Sequence, residues 1–371
     1  MKYYLIAGEA SGDLHGSNLI KQLHLQDANA NIRCWGGDLM EHEGATLVKH
    51  YKDLAFMGFV EVVKNLPIIL QNLKFCKQDI AAFKPDVVVL IDYPGFNLKI
   101  AEWSKKQAYK VVYYISPQVW AWKEKRVHSI KKYVDKMLVI LPFEKDYYQQ
   151  FDYKVEYVGH PLIEVIERFK ASGHPPLTTG KQVIALLPGS RRQEIAKKLP
   201  VMLEVSKAFP AYQFIVAKAP GQDDAFYETF MAPYSNVSII GNQTYNLLNQ
   251  AVAALVTSGT ATLEAALFSV PEVVCYKGNP VSYAIAKRVI KIKYISLVNL
   301  IMDKPIVKEL IQHEMTAENC IKELNILLND PLKKAQLKKD YDDLKALLSL
   351  GGHASANAAA IIYKMAIDKQ S

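Results

Sequence analysis

Continuous apolar runs at residues 3 to 7 (YYLIA), 86 to 91 (DVVVLI), 111 to 116 (VVYYIS) and 137 to 141 (MLVIL) are too short to be helices. Runs of that kind, closed off by turn residues, are what a parallel sheet buried on both faces asks of its strands. Shorter stretches near 32–35 and at 155 to 158 (VEYV) join them. Between the runs apolar positions recur at helical spacing, as in Leu14, Leu19, Ile20 and Leu23. The pattern starts afresh at 183 to 187 (VIALL), with further strands expected near 213–217, 237–240, 252–256 and 272–276. Strand followed by helix through both halves predicts an α/β chain with two parallel sheets. The Pro-, Gly- and Thr-rich stretch SGHPPLTTGK, residues 172 to 181, reads as the connector. The expected organisation is therefore an N-terminal Rossmann-like domain over 1–172, a linker over 173–181 and a C-terminal Rossmann-like domain over 182–350. Residues 317–349 read as helical, Gly351 and Gly352 end them, and an alanine-rich amphipathic helix over 354–367 closes the chain. Residues 353–371 pack either back on the first domain or on a partner, which would make a homodimer.

Length and composition agree with two cores. The chain has 371 residues, beyond the ~250–300 at which single cores usually split. Half of the residues are hydrophobic and 22% are charged, so a large interior is available. A net charge of +8 points to an anionic partner: a phosphate-bearing substrate, nucleic acid or an acidic lipid surface. Cys34, Cys76, Cys275 and Cys320 are scattered with no CxxC pair, which fits a reducing cytosol and argues against a zinc site or a disulfide framework. No signal peptide is visible after Lys2, and no apolar run reaches the ~18 residues a spanning helix needs. A soluble protein, or one lying on a membrane, is expected. Residues 57 to 76 are unusually apolar and interrupted by Pro67. They are either two core helices or an exposed patch that dips into a bilayer surface.

Candidate chemistry gathers where the strands end. The loop GEASGD (8–13) puts Glu9, Ser11 and Asp13 at the carboxyl edge of the first strand, where open α/β sheets bind ligands. It is not GxGxxG, and Asp13 could equally be a helix-start carboxylate. The 86–91 strand delivers Asp92 to its tip before Pro94, Gly95 and Asn97 break the chain. That carboxylate is placed either for acid/base work or for an Asx turn. PQVWAWKEKR (117–126) carries Trp120 and Trp122 followed by cations; it is a docking rim for an anionic, partly apolar molecule or simple packing. VIALLPGSRRQE (183–194) ends a buried strand at Gly189 and opens a helix, so its free N–H groups and Arg191 make an anion site; the alternative is a plain turn with a solvated Arg pair. In TSGTATLE (257–264) Gly259 and Thr260 open a helix with Glu264 on its first turn. Position 261 is Ala261, so a capping box does not account for Glu264. It accepts ribose hydroxyls or is surface helix charge.

Several strings together resemble the lipid-A-disaccharide synthase family: AGEASGD (7–13), IDYPGFN (91–97), SPQVWAWKEKR (116–126), LPFE (141–144), VGHPL (158–162), LLPGSR (186–191), SGTATLE (258–264) and SLVNL (296–300). They stand in order, and the resemblance spans residues 4 to about 315. The resemblance implies two Rossmann-like domains facing across a cleft, the GT-B architecture, and an inverting transfer of 2,3-diacylglucosamine from UDP-2,3-diacylglucosamine to 2,3-diacylglucosamine 1-phosphate (lipid X). Asp92 is then the base, with Glu9 orienting the acceptor or serving as the alternative base. The acceptor side comprises Ser11, Gly12, Asp13, Asn97, Trp120, Lys123 and Arg126. The UDP-sugar side comprises Gly189, Ser190, Arg191, Gly259, Thr260, Glu264 and Asn299. Many members carry a second carboxylate in the IDYPGFN loop; here that position is Gly95, which leaves Asp92 alone there. No cofactor and no metal is expected, because no DxD-type pair stands near 189–191. The basic surface suits phosphorylated lipids and an anionic inner leaflet, hence a peripheral protein on the cytoplasmic face of the inner membrane. Two rival readings are a UDP-N-acetylglucosamine 2-epimerase-like enzyme on the same fold and a basic nucleic-acid-binding Rossmann protein. Against the latter, the cations are dispersed and no RNA-binding signature is present.

Overall fold

The first sheet is built from β1 (Lys2–Ala7), β2 (Asn31–Gly36), β3 (Thr46–His50), β4 (Val87–Ile91), β5 (Lys110–Tyr114), β6 (Lys136–Val139) and β7 (Glu156–Tyr157). The second is built from β8 (Val183–Leu187), β9 (Gln213–Lys218), β10 (Val237–Gly241), β11 (Ala251–Thr257), β12 (Glu272–Tyr276) and β13 (Lys308–Ile311). The structure, a computed structural model, describes residues 1–54, 66–122, 124–177, 180–280, 283, 287–288 and 292–368. All strand pairs in both sheets are parallel. The orders are β3-β2-β1-β4-β5-β6-β7 and β10-β9-β8-β11-β12-β13. In each, the direction of winding reverses next to the unit's first strand, between β1 and β4 and between β8 and β11. The apolar pattern predicts the inner strands closely. It does not predict β3 and β13, edge strands in which Lys49, His50, Lys308 and Glu309 interrupt the apolar run. Edge strands commonly carry charge in this way.

The chain divides into two units, Met1–Pro161 with Leu348–Ser371, and Leu162–Leu347. The division falls ahead of 173–181, because the Pro161–Ala171 helix joins the second unit. Phe169 packs edge-on against Tyr245 and Phe268 at 5.6 and 5.8 Å, and Lys170 Nζ donates to the Leu267 carbonyl at 3.1 Å. The final helix, Ala354–Ile367, packs on its own chain. Ala358, Ala359 and Ile362 share one core with Leu19, Ile20 and Leu23 of the Ala10–Gln26 helix. The way into it is a close crossing of backbone on backbone. Gly159 has φ +96°, and a Cβ on Gly351 would run into its backbone, so glycine is required on both sides.

Part of the apolar 57–76 stretch, including Phe59, lies outside the described residues. From Leu66 it is helix (Leu66–Phe83), which buries Leu73, Cys76 and Ile80 while Leu66, Ile68, Leu70 and Phe75 are exposed.

Candidate active site

The loops after β1 and β4 meet at the first winding reversal, the place where open α/β sheets leave a crevice for ligands. Asp92 and Tyr93 follow β4 with φ of 43° and 50°, a sparsely populated region for side-chain-bearing residues. Three bonds hold this turn: Asp92 N donates to the Tyr114 carbonyl at 3.2 Å, and the Asp92 carbonyl accepts from Tyr113 Oη at 2.5 Å and Asn97 Nδ2 at 2.8 Å. The strained backbone is thereby fixed and the carboxylate half-buried at the sheet edge. Burial, and then the neighbouring Glu9 carboxylate, push Asp92 up to about 6. Glu9 itself is the first residue after the β1 turn and caps the Ala10–Gln26 helix through its backbone conformation, without a side-chain cap. Tyr93 lies where a Cβ on Gly8 would fall, which locks the two loops together. The structure therefore brings Asp92 and Glu9 together, as expected.

Not every residue expected on the acceptor side faces this crevice. Asp13 is 3% exposed and its carboxylate accepts from the backbone of Gly37 at 2.8 Å, Met40 at 3.1 Å and Leu39 at 3.2 Å. It corrects the expectation: Asp13 caps the Asp38–His42 helix and has little capacity left for a ligand. Asn97 is likewise a correction. It is buried, and its Nδ2 is spent on the carbonyls of Ile6, Ile91 and Asp92. Gly12 sits against Ala7, where an added Cβ would lie 3.0 Å from that residue's Cβ, so it serves helix–strand packing. Ser11 is exposed. Trp120 donates to Glu144 Oε1 at 3.3 Å and meets Phe143 edge-on at 5.2 Å. Arg126 opens the Arg126–Tyr133 helix, close enough to Tyr113 to act on it electrostatically. Lys123 and the Trp122 side chain lie outside the described residues.

Tyr113, which bonds the Asp92 carbonyl, and Glu144, which bonds Trp120, are buried polar side chains that the apolar pattern does not mark, and a His15–His160 pair lies in the same unit. Glu144 is fully buried beneath Trp120 and accepts from Leu141 N at 3.0 Å; burial pushes it up to about 7. Half-buried His15 and buried His160 are imidazoles held neutral by desolvation, His15 near 4 and His160 near 3, the latter also repelled by His15. The LPFE and VGHPL strings were the available signal for Glu144 and His160.

The second winding reversal carries a cavity of about 500 Å³ between the loops after β8 and β11. Gly189, Ser190, Arg191, Gly259, Thr260 and Glu264 all line it. Gly189 has φ +117°, which only glycine adopts without strain. Arg191 is the N-cap residue of the Arg192–Val205 helix, so the first N–H groups of that helix stay open to an anion. Glu264 falls one turn into the Thr260–Leu267 helix rather than on its first turn. Its carboxylate accepts from Tyr245 Oη at 3.1 Å, and burial raises its pKa. It is no surface charge. Asn299 is the exception: it does not line this cavity. Its side chain accepts from Val307 N at 2.9 Å and donates to Val307 O at 2.9 Å and Glu309 Oε1 at 3.0 Å, which ties the Leu297–Met302 helix to β13. Among the described residues no cluster of three or more His, Cys, Asp or Glu side chains could hold a metal ion.

Set beside known proteins, residues 3–364 match the model of a family described as lipid-A-disaccharide synthetase. A lipid-A-disaccharide synthase of Geobacter metallireducens is 37% identical over 97% of this chain and 96% of its own length. Among solved structures, the UDP-GlcNAc 2-epimerase of Neisseria meningitidis bound to UDP-GlcNAc superposes with a TM-score of 0.66 at 15% identity, covering 98% of this chain and 99% of that one. A glycotransferase of kitacinnamycin gives 0.66 at 14% identity, with 98% of each chain covered. At such identity these likenesses carry the fold alone. It is the GT-B fold.

Proposed function

We propose a division of labour for a chain that belongs to the lipid-A-disaccharide synthetase family and is a hexosyltransferase of lipid A biosynthesis. The donor is UDP-2,3-diacylglucosamine and the acceptor 2,3-diacylglucosamine 1-phosphate. Asp92 takes the proton of the acceptor 6-hydroxyl as that oxygen bonds to the donor's anomeric carbon and the bond to UDP breaks, so the configuration inverts. One base suffices, because the nucleophile is the acceptor itself. The observation that carries this reading is Asp92: a carboxylate at a winding reversal, on a strained but pinned turn, raised to about 6. Such a group is largely ionised at neutral pH yet basic enough to accept a proton. Glu9 stays beside it to orient the acceptor and keeps Asp92 basic by repulsion. Ser11, Trp120, Lys123 and Arg126 supply the acceptor's polar and stacking contacts.

On the donor side the diphosphate lies at Gly189, Ser190 and Arg191, and Glu264 accepts from the ribose. Negative charge that grows on the departing UDP is met by Arg191 and the helix-start N–H groups, donors that need no reorganisation. The second unit's cavity has the size and the charge for a nucleotide and favours this assignment. No helix among the described residues is long and apolar enough to cross a membrane. The exposed Leu66, Ile68, Leu70 and Phe75, flanked by Lys74 and Lys77, suit insertion into an anionic surface. The chain thus works peripherally on the cytoplasmic face of the inner membrane.

Mass spectrometry of the products from UDP-2,3-diacylglucosamine plus the 1-phosphate acceptor tests the reading. The expected result is UDP together with a disaccharide 1-phosphate. An epimerised UDP-sugar with no disaccharide would overturn it.

A further inference from the structure

Directly behind the glycine loop of the donor cavity is a buried cation to which the reading above gives no role. Lys198 is 3% exposed and is carried on the inner face of the Arg192–Val205 helix among Ile195, Leu199 and Met202, all buried. Lysine is almost never buried that far unless it is paired. Its Nζ donates to Thr257 Oγ1 at the tip of β11 and lies 3.6 Å from Glu194 Oε2. Glu194 Oε1 in turn stands 3.5 Å from Arg191 Nη1. Glu194, Lys198 and Thr257 all come up against Gly189. A Cβ there would lie 2.9 Å from Glu194 Oε2 and 3.4 Å from Lys198 Nζ. Glu194 lines the same cavity as Gly189 and Arg191, so an anion is built into a pocket whose other features attract anions.

As a purely structural pair this arrangement is a poor one, since an apolar side chain of similar volume usually serves a helix interior as well or better. Desolvation lowers the pKa of Lys198, and the Glu194 carboxylate is the main influence against that. The pair makes sense at a site where an anion comes and goes.

We propose that Glu194 and Lys198 form a charge-exchange device for the nucleotide diphosphate: Glu194 occupies Arg191 in the empty site, the incoming diphosphate displaces it, and Lys198 retains it. The inference rests on the assignment of this cavity to a UDP-sugar. With the site empty, Arg191 is neutralised by Glu194, and a diphosphate must compete for it. UDP is then held less tightly than the bare cations would hold it, and the carboxylate reclaims Arg191 as UDP departs. Lys198, anchored by Thr257, keeps one positive charge next to the Gly189 backbone throughout. Neither residue acts on uridine, which has no phosphate.

Isothermal titration of UDP and of uridine into the full-length wild type, Glu194→Gln and Lys198→Met tests this. Glu194→Gln should tighten UDP about tenfold and Lys198→Met should weaken it about tenfold, the scale of one charged hydrogen bond. Uridine affinity should stay within about twofold of wild type in both. UDP affinity in Glu194→Gln equal to or weaker than wild type overturns the device, and so does a parallel fall for UDP and uridine in Lys198→Met. Should Lys198→Met fail to fold by circular dichroism, Glu194→Gln, whose side chain is 39% exposed, decides alone. Wild type that binds uridine as tightly as UDP would instead remove the diphosphate assignment of the cavity, and the device with it.

Discussion

Asp92 sets activity against stability at a single residue. Its carboxyl is raised from 3.8 to about 6 in the folded chain, so protonation favours folding. The stability linked to this group is fully present below the unfolded value near 4 and is lost as pH rises through 6. Asp92→Asn removes that loss and tolerates the same positive φ. It should therefore stabilise the protein at pH 7.5 by about 1–3 kcal/mol, seen as a higher Tm, while kcat falls by roughly 10²–10⁴. Wild-type kcat should drop below pH 6, and that limb should vanish in the mutant. Near-normal turnover in Asp92→Asn would hand the role of base to Glu9. Asp92 was legible in the sequence because an apolar run of strand length leads straight into it. Lys198 was not, although a lysine at i+4 from Glu194 on an otherwise apolar helix face was a readable signal. Asp13, Asn97 and Asn299 misled for the opposite reason: a polar side chain in a family motif can be needed to fix a loop, and only its hydrogen-bond partners reveal that.

Among the elements, helices with two kinds of neighbour are the informative ones. The Leu66–Phe83 helix is half core and half bare. Replacing Ile68 and Leu70, both exposed, with Ser should reduce sedimentation with anionic liposomes while Tm stays within about a degree, because exposed substitutions cost little. A large fall in Tm would return this face to the interior. The Ala354–Ile367 helix makes the opposite case. Ile362 is fully buried against the Ala10–Gln26 helix, so Ile362→Ala should cost about 2–5 kcal/mol in denaturant unfolding; a cost under 1 kcal/mol would mean that the helix is only loosely held. The amphipathic pattern gave the bounds of this helix in advance, since Gly352 and the alanine run mark them. Its docking site was not legible, because a small-residue face fits any close neighbour. The edge strands β3 and β13 were missed because solvent on one side dilutes the apolar run on which strand recognition depends.

At the scale of the molecule, the same arrangement is used twice: a parallel sheet, a winding reversal, and a loop pair at the reversal. Metal has no part in the proposed charge balance, which Arg191, Lys198 and backbone donors complete on the donor side. Turnover should thus survive excess EDTA; complete loss that magnesium or manganese restores would place a cation at the diphosphate.

The crossing of Gly159 against Gly351 has a consequence for how the chain is made. A ribosome delivers the first unit's seven strands ahead of the second unit, yet the first unit's core is closed by a helix that emerges only after the second unit. The second unit is one uninterrupted stretch and can finish on the ribosome. The first must wait, with Leu19, Ile20 and Leu23 uncovered, until Ala358, Ala359 and Ile362 leave the exit tunnel. Nascent chains usually complete their domains from the N-terminus onward; here the first unit is completed only after the second. The turn that carries Asp92 thus sits in the unit that is completed later.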